Sequence, residues 1–220
     1  MRRARWVLVM AVVLVVIAGC GGGETEGAGA RANGDDRGRL DAAVVERLRG
    51  GGLVVAFRHA ATDSSMDTTD DLADCSRQRN LSAAGRRQSR AIGRAFERLE
   101  IPVGRVLASP FCRARDTARI AFGRVKLSPA LLSIEFRDDP GAGAPPLRRL
   151  LASEPRRANT VLVSHGSAID EAAGVDPEEG AAIVAAPRSG ARGFEILARP
   201  RAADWTAVAG RMARTGRTAE

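Results

Sequence analysis

The chain has 220 residues, of which 45% are hydrophobic and 27% are charged, so one globular domain with a sizeable core is expected. The formal net charge is +8, and the basic residues are spread along the chain without a basic block or interleaved aromatic residues. This distribution argues against nucleic-acid binding, whereas a modest positive field suits an anionic substrate.

The N-terminal segment has the pattern of an export signal. Positive charge at residues 1–5 precedes an apolar run from Trp6 to Gly19 that is short for a membrane span. A basic region, a short apolar region and small residues before a break are typical of a secretory signal peptide. We therefore expect residues 1–19 to be a removed signal peptide, with an uncleaved signal anchor as the alternative.

The end of this segment, Ile17-Ala18-Gly19-Cys20, resembles the bacterial lipobox. The resemblance implies that Cys20 is lipidated, becomes the mature N-terminus and anchors the protein to the membrane, exposed outside the cytoplasm. Residues 20–38 are rich in glycine and charge, which predicts a flexible tether. A folded domain is then expected over residues 39–211, followed by a frayed polar tail over residues 212–220.

The domain shows helical and strand patterns in alternation. Helices are expected over residues 40–48, 82–99 with Ser82 as N-cap, from the turn at Pro110 to Phe122, and 146–153. Strands are expected over residues 53–57, 105–109, 125–127, 160–164, 181–186 and 193–198, the last at a sheet edge. Residues 62–78 and 131–146 lack a clear period and are expected to be loops.

This alternation predicts an α/β fold, namely a three-layer α/β/α sandwich with a mostly parallel central sheet. In such folds ligands bind beyond the carboxyl ends of the strands. Arg58-His59, Ser109 and His165 all follow strongly apolar strands. His59 and His165 are also the two histidines of the chain, so both are candidates for a functional site.

Three sequence blocks make this expectation specific. Arg58-His59-Ala60, the block from Ser109 to Ala118, and Val163-Ser164-His165-Gly166 resemble, in that order, the motifs of the histidine phosphatase superfamily, which has the phosphoglycerate-mutase-like fold. The resemblance spans residues 53–166. It implies a phosphatase that acts through a phosphorylated histidine and needs neither a cofactor nor a metal.

The resemblance also implies roles for individual residues. His59 is the expected nucleophile, and Arg58 and Arg113 are expected to hold the phosphate oxygens, because a guanidinium fork matches phosphate geometry. His165 is expected to donate a further hydrogen bond to the same oxygens. Arg79, in a stretch similar to one in the small phosphohistidine-phosphatase branch, and Ser109 are expected in the substrate site.

The general acid that protonates the leaving group is not settled by the motifs. Glu135 stands about where the mutase-like branch has its catalytic glutamate, while Asp63 and Glu171 are the other candidates. The acid phosphatase branch places an aspartate directly after the second histidine, where this chain has Gly166.

The two cysteines beyond Cys20 are Cys75 and Cys112. Outside the cytoplasm an even pair normally forms a disulfide, which here would tie the loop after His59 to the turn that carries Arg113. Two unpaired buried thiols are the alternative.

The expected function is an exported phosphatase that hydrolyses phosphate monoesters of small molecules or of surface substrates. The alternative is a catalytically inactive lipoprotein that binds a phosphorylated ligand in the arginine pocket. Dephosphorylation of a phosphoprotein is a third possibility, which export disfavours for a cytosolic phosphohistidine partner.

Overall fold

The structure, a computed structural model, describes residues 38–65, 71–137, 145–190 and 193–217. The expected signal peptide, Cys20 and all of the expected tether except residue 38 therefore lie outside the described residues. Within the described ranges, no helix combines the length and the apolar character that a membrane crossing requires.

Strands and helices alternate along most of the described chain. The strands are β1 Val54–Arg58, β2 Val103–Ala108, β3 Lys126–Leu127, β4 Asn159–Ser164, β5 Ala182–Pro187 and β6 Phe194–Ala198. The helices are α1 Ala42–Arg49, α2 Ala83–Arg98, α3 Cys112–Phe122, α4 Pro146–Leu151, α5 Gly166–Ala173 and α6 Ala202–Arg217. Short 3-10 turns occupy Cys75–Arg77, Pro129–Leu131 and Ile134–Phe136, inside or beside segments that were expected to be loops.

The six strands form one sheet in the order β3-β2-β4-β1-β5-β6. The first four are parallel to one another, while β5 and β6 run antiparallel to their neighbours at the other edge. Arg58 is in register with Ser164 in the parallel pair of β1 and β4. The next residues, His59 and His165, therefore lie next to each other just beyond the carboxyl ends of these strands. The mostly parallel sheet and the edge position of the last strand are confirmed.

Both faces of the sheet are covered because the strands are apolar on both sides. Val55 and Phe57 of β1 belong to a core cluster with residues of α1, α2, α3 and α6. Val54 and Ala56, which point to the opposite face, belong to a second cluster with residues of α4 and α5. The expected three-layer α/β/α sandwich is therefore confirmed.

The start of α2 is set by its N-cap residue and by close packing against the chain after His59. The Ser82 hydroxyl accepts a hydrogen bond from the Gly85 N–H at 3.1 Å and begins α2, as predicted. Gly85 also lies where α2 approaches the carbonyl group of Ala61, and a Cβ atom there would collide with it. The chain after His59 and the start of α2 are thus packed directly together.

The C-terminal region differs from the prediction. No helix was expected after β6 and a frayed tail was expected from residue 212, yet α6 continues to Arg217. Trp205 is fully buried, with its ring centroid 5.9 Å from that of Phe57 and 4.7 Å from that of Phe96. Because this packing anchors the helix, the expectation of a frayed tail is wrong as far as residue 217.

Candidate active site

The candidate site lies at the carboxyl ends of β1, β2 and β4. Arg58 ends β1 and His59 follows it, while Ser109 and His165 follow β2 and β4. A cavity of about 330 Å³ opens there. Its lining comprises Arg58, His59, Arg79, Arg113, Ser133, Glu135, Phe136, His165, Gly166, Ser167 and Asp176. Of the residues predicted for the substrate site, Ser109 does not line the cavity. Its hydroxyl group instead contacts His165, which does.

His59 is held as a neutral imidazole with a free lone pair. Only 2% of the residue is exposed, and its Nδ1 lies 3.0 Å from the carbonyl oxygen of Ala60. Because a carbonyl oxygen only accepts, Nδ1 carries the proton and Nε2 the lone pair. Burial lowers the pKa of His59 to about 3; the Ala60 hydrogen bond opposes this shift, and the charge of Arg113 adds to it.

His165 is held in the opposite tautomer. Nη2 of Arg113 lies 3.3 Å from Nδ1 of His165, and since a guanidinium only donates, Nδ1 accepts. Nε2 therefore carries the proton and donates to the Ser109 hydroxyl at 2.8 Å. Burial, followed by the charge of Arg113, holds the pKa of His165 well below its ordinary value. With ring centroids 5.4 Å apart, His59 and His165 form a pair of neutral rings.

Three arginines surround the nucleophile with unused donors. Among the described residues, Nε of Arg58, Nε of Arg79, and Nε and Nη1 of Arg113 are buried without a hydrogen-bond partner. A buried donor that is left unpaired costs about 1–3 kcal/mol, and more when it is charged. Because all three arginine side chains line one cavity, they indicate a site for an anion with several oxygens.

Arg113 is the most enclosed of the three. The residue is 3% exposed, and its guanidinium carbon lies 4.3 Å from the ring centroid of Phe111. Burial lowers the pKa of Arg113 to about 10, and the neighbouring charge of Arg79 acts in the same direction. At neutral pH Arg113 is still a cation, so the cavity keeps its positive charge.

Arg58 is oriented by the segment that precedes β5. Its Nη1 donates to the carbonyl oxygen of Pro177 at 3.0 Å and lies 3.4 Å from Oδ1 of Asp176. A Cβ atom added at Gly166 would collide with both the Asp176 carboxylate and the Arg58 guanidinium. A side chain after His165 would therefore displace this ion pair from its present position.

A disulfide joins Cys75 to Cys112, with the Cα atoms 5.8 Å apart, as predicted. Next to it, the buried side chain of Gln78 accepts from the Cys112 N–H at 2.8 Å and donates to the Asp71 carbonyl at 3.0 Å. The bridge thus fastens the loop that carries Arg79 to the first turn of α3. Such a brace opposes the mutual repulsion of the cavity cations.

One of the three candidate general acids lies in the cavity. Glu135 lines it and accepts hydrogen bonds from the hydroxyl groups of Ser133 and, at 3.3 Å, Ser167. Burial acts to raise the pKa of Glu135, but these hydrogen bonds outweigh it, and the pKa lies below its ordinary value.

The other two acids do not line the cavity. Asp63 is exposed and accepts from the hydroxyl and N–H of Ser65, which lower its pKa. Glu171 forms an ion pair with Arg137.

Two carboxylates of the site, Asp176 and Glu179, were not predicted. Asp176 contacts Arg58, and Oε1 of Glu179 lies 3.9 Å from Nδ1 of His59. Both belong to the segment between α5 and β5, which looks like an ordinary polar turn in the sequence. No sequence signal marks them, because they reach the site through β5, which runs antiparallel to β1 and begins where β1 ends.

No metal site is visible in the part of the chain that the structure describes, because no three His, Cys, Asp or Glu side chains there are grouped to hold an ion. The positive charge of the cavity comes from its arginines.

Comparison with known proteins supports the motif resemblance over part of the chain. Residues 54–139 match the model of the histidine phosphatase superfamily (branch 1). This range contains Arg58, His59, Arg79, Arg113 and Glu135 and ends before His165. No match is found among curated proteins.

Solved structures with low sequence identity are also similar. TTHB049 from Thermus thermophilus is 20% identical with a TM-score of 0.48, and the match covers 68% of this chain and 99% of that one. The protein histidine phosphatase SixA complexed with tungstate is 18% identical with a TM-score of 0.49, covering 69% and 98%.

A mycobacterial glucosyl-3-phosphoglycerate phosphatase is 18% identical with a TM-score of 0.48, covering 69% and 100%. At this level of similarity the three structures say nothing about the activity of the present chain. The family match is therefore the informative one: the segment over residues 54–139, which carries the candidate nucleophile and the cavity arginines, is similar to the histidine phosphatase superfamily, branch 1.

Proposed function

We propose that the protein is a phosphatase of the histidine phosphatase type, which hydrolyses phosphate monoesters through a phosphohistidine at His59. The observation that carries the proposal is the set of unpaired, buried arginine donors around a neutral histidine whose Nε2 is free. The match of residues 54–139 to the family model supports it independently.

The phosphate group binds among the cations. Arg58, Arg79 and Arg113 supply the donors that have no partner in the described structure, and a phosphate offers several acceptor oxygens to them. Helix α5 begins at the cavity with Gly166 and Ser167, so its positive end adds to the attraction. The anion thus replaces the missing partners of the buried donors.

The phosphoryl group is then transferred to His59. The Nε2 lone pair attacks phosphorus, the bond from phosphorus to the ester oxygen breaks, and its electrons leave with that oxygen. Nδ1–H keeps its hydrogen bond to Ala60 throughout, which holds the ring in its attacking orientation. Attack by water on phosphorus releases inorganic phosphate and restores the histidine.

Glu135 is the proposed donor of the proton that the leaving oxygen takes up. It lines the cavity, unlike Asp63 and Glu171. Because the pKa of Glu135 lies below its ordinary value, the protonated fraction is small at neutral pH and grows as the pH falls. Acid-catalysed departure of the alcohol is therefore expected to be fastest in acidic solution.

The place of action is proposed from the N-terminal pattern. Cys20, after an apolar run and small residues, is proposed as a lipid anchor that holds the enzyme on the membrane outside the cytoplasm. The disulfide fits an oxidising compartment. In cells labelled with radioactive palmitate, the wild type is expected to carry label and a Cys20→Ala variant none; label in both would contradict the anchor.

Turnover of para-nitrophenyl phosphate tests the activity directly. The wild type is expected to release para-nitrophenol, His59→Ala to be inactive, and a surface variant such as Arg86→Ala to match the wild type. Absence of turnover by the wild type at acidic and neutral pH, on several phosphate esters, would refute the enzymatic function.

A binding lipoprotein without catalysis is the second candidate. One observation favours it: with the pKa of Glu135 lowered, the cavity offers little protonated acid at neutral pH. In that case inorganic phosphate raises the melting temperature of the wild type while no ester is hydrolysed at any pH. Hydrolysis that depends on His59 excludes this candidate.

A further inference from the structure

Glu179 lies beside the proposed nucleophile without a place in the mechanism above. Its Oε1 is 3.9 Å from Nδ1 of His59, on the side of the ring away from the attacking Nε2. The carboxylate is fixed by Thr62, whose hydroxyl donates to Oε1 at 2.6 Å and whose N–H donates to Oε2 at 3.1 Å. Two donors from one residue therefore set the position of this carboxylate beside the ring.

The backbone around Glu179 is bound to the chain that follows His59. The Gly180 N–H donates to the carbonyl oxygen of His59 at 2.9 Å. Gln88 accepts from the Ala61 N–H at 3.0 Å and donates to the carbonyl oxygen of Glu179 at 3.2 Å. This arrangement keeps the carboxylate and the imidazole at a constant separation.

The other charges near His59 are positive. Arg58 from β1 and Arg113 from α3 both disfavour a positive charge on the ring, and His165 after β4 is neutral. Glu179 favours that charge, and its own pKa stays below the ordinary value because the Thr62 hydrogen bonds outweigh the effect of burial. Glu179 is thus ionised where it can offset the two arginines.

We propose that Glu179 is a positioning residue for the phosphorylation step, whose carboxylate stabilises the positive charge that the His59 ring acquires when Nε2 bonds to phosphorus. The proposal rests on the proposed function. In this step Nε2 donates its electron pair to phosphorus, the ester oxygen leaves with the electrons of the broken bond, and Glu135 protonates that oxygen. Nδ1 keeps its proton, so the ring becomes a cation 3.9 Å from a carboxylate oxygen.

The negative charge of Glu179, which favours phosphorylation of His59, disfavours the binding of phosphate before that step. A phosphate anion in the cavity lies on the far side of the ring from Glu179, and the two negative charges repel each other. Removing the charge of Glu179 should therefore tighten the binding of phosphate while slowing phosphorylation. Loss of a purely structural contact would weaken phosphate binding and slow phosphorylation together. Tighter binding combined with slower phosphorylation therefore distinguishes an electrostatic role of Glu179 from a structural one.

The test compares the wild type, Glu179→Gln and the matched control Glu178→Gln. The control removes the same charge from the same segment, but Glu178 is exposed and paired only with the exposed Arg201 at 3.4 Å among the described residues. Inorganic phosphate affinity is measured by calorimetry, and phosphoenzyme formation from para-nitrophenyl phosphate by rapid quench. For Glu179→Gln we expect phosphate to bind about 3-fold more tightly and phosphorylation to be about 10-fold slower, with Glu178→Gln unchanged.

A conservative variant covers the case in which Glu179→Gln does not fold. Glu179→Asp keeps the charge but withdraws it from Nδ1. We expect phosphate affinity close to that of the wild type and a phosphorylation rate reduced by about 3-fold. If Glu179→Asp instead loses affinity and rate together, the side chain matters only for packing and the proposal is overturned.

The remaining outcomes are also decisive. If the wild type is phosphorylated and Glu179→Gln shows the same rate, or loses affinity and rate in proportion, this inference fails while the proposed function stands. If the wild type binds phosphate but forms no phosphoenzyme, the proposed function fails and this inference fails with it.

Discussion

Replacing Arg113 with methionine separates the contribution of this side chain to ligand binding from its effect on folding. In the absence of ligand, Nε and Nη1 of Arg113 are buried without partners among the described residues. Methionine has a similar length and needs no hydrogen bonds. We therefore expect Arg113→Met to stabilise the ligand-free protein and to weaken phosphate binding.

The magnitude follows from the contacts of Arg113. Removing two unpaired buried donors gains about 1–3 kcal/mol each. Against this stand the hydrogen bond to His165, whose loss leaves the buried Nδ1 without its donor and costs about 1–3 kcal/mol, and the contact with the Phe111 ring, worth about 0.5–2 kcal/mol and partly replaced by the methionine sulfur. A net gain of about 1 kcal/mol would raise the melting temperature of a domain of this size by about 2–4 °C.

The assay is thermal unfolding of both proteins with and without inorganic phosphate. At a concentration of about 100 times its dissociation constant, phosphate should stabilise the wild type by about 2.7 kcal/mol. The variant should show almost no phosphate effect, because each lost charge-assisted hydrogen bond is worth about 1.5–3 kcal/mol. Arg105→Met, the same change at an exposed position, should leave both quantities unchanged.

Two results would refute this reasoning. One is a melting temperature of ligand-free Arg113→Met that lies several degrees below that of the wild type. The other is an undiminished phosphate effect in the variant. Either would mean that the buried donors of Arg113 are not held ready for an anion.

Three further predictions concern pH, the disulfide and the general acid. The pKa of His59 is about 3 in the folded state and near 6.5 when unfolded, so the unfolded chain binds more protons between these values. Stability to urea should therefore fall as the pH drops from about 6.5 towards 3, with His165 acting in the same direction; a constant urea midpoint would contradict this. Replacing Cys75 and Cys112 together by serine should lower the free energy of unfolding by about 4 kcal/mol, and an unchanged denaturation curve would argue against the brace. Glu135→Gln should slow alkyl phosphate hydrolysis about 100-fold but para-nitrophenyl phosphate by less than about 10-fold, because a phenolate leaves without a proton; equal losses on both substrates would exclude Glu135 as the acid.

The sheet and the principal histidines were predictable because the signals are local. The strands before His59 and His165 are continuous apolar runs, which is how strands buried on both faces appear in a sequence. The disulfide was predictable from the number of cysteines together with an N-terminal pattern that is typical of exported proteins. The strands, the two histidines and the disulfide all agree with the structure, so the local sequence pattern and the overall fold are consistent in these regions.

Helix α6 was missed although its spacing carried the signal. Trp205, Val208, Ala209 and Met212 recur at helical intervals and pack against the core. The surrounding alanine, arginine and threonine residues hide this pattern, since they suit a helix or a solvated tail equally well. Tertiary packing of Trp205, rather than local preference, decides the outcome.

Asp176 and Glu179 could not be assigned for a different reason. Their importance depends on the antiparallel pairing of β5 with β1, which brings a polar turn next to Arg58 and His59. Sequence spacing contains no information on that pairing. The ring tautomers likewise follow from the positions of the Ala60 carbonyl group and the Arg113 guanidinium beside the two histidines, which only coordinates provide.

The most direct test of the central claim is to trap the phosphorylated protein. Wild type and His59→Ala are mixed with para-nitrophenyl phosphate, quenched in alkali within milliseconds and analysed by intact mass and peptide mapping. We predict one phosphoryl group per wild-type chain, on His59, stable to alkali and lost in acid, and none in His59→Ala. Turnover by the wild type without any phosphoenzyme, or an equal phosphoryl content in His59→Ala, would contradict the account.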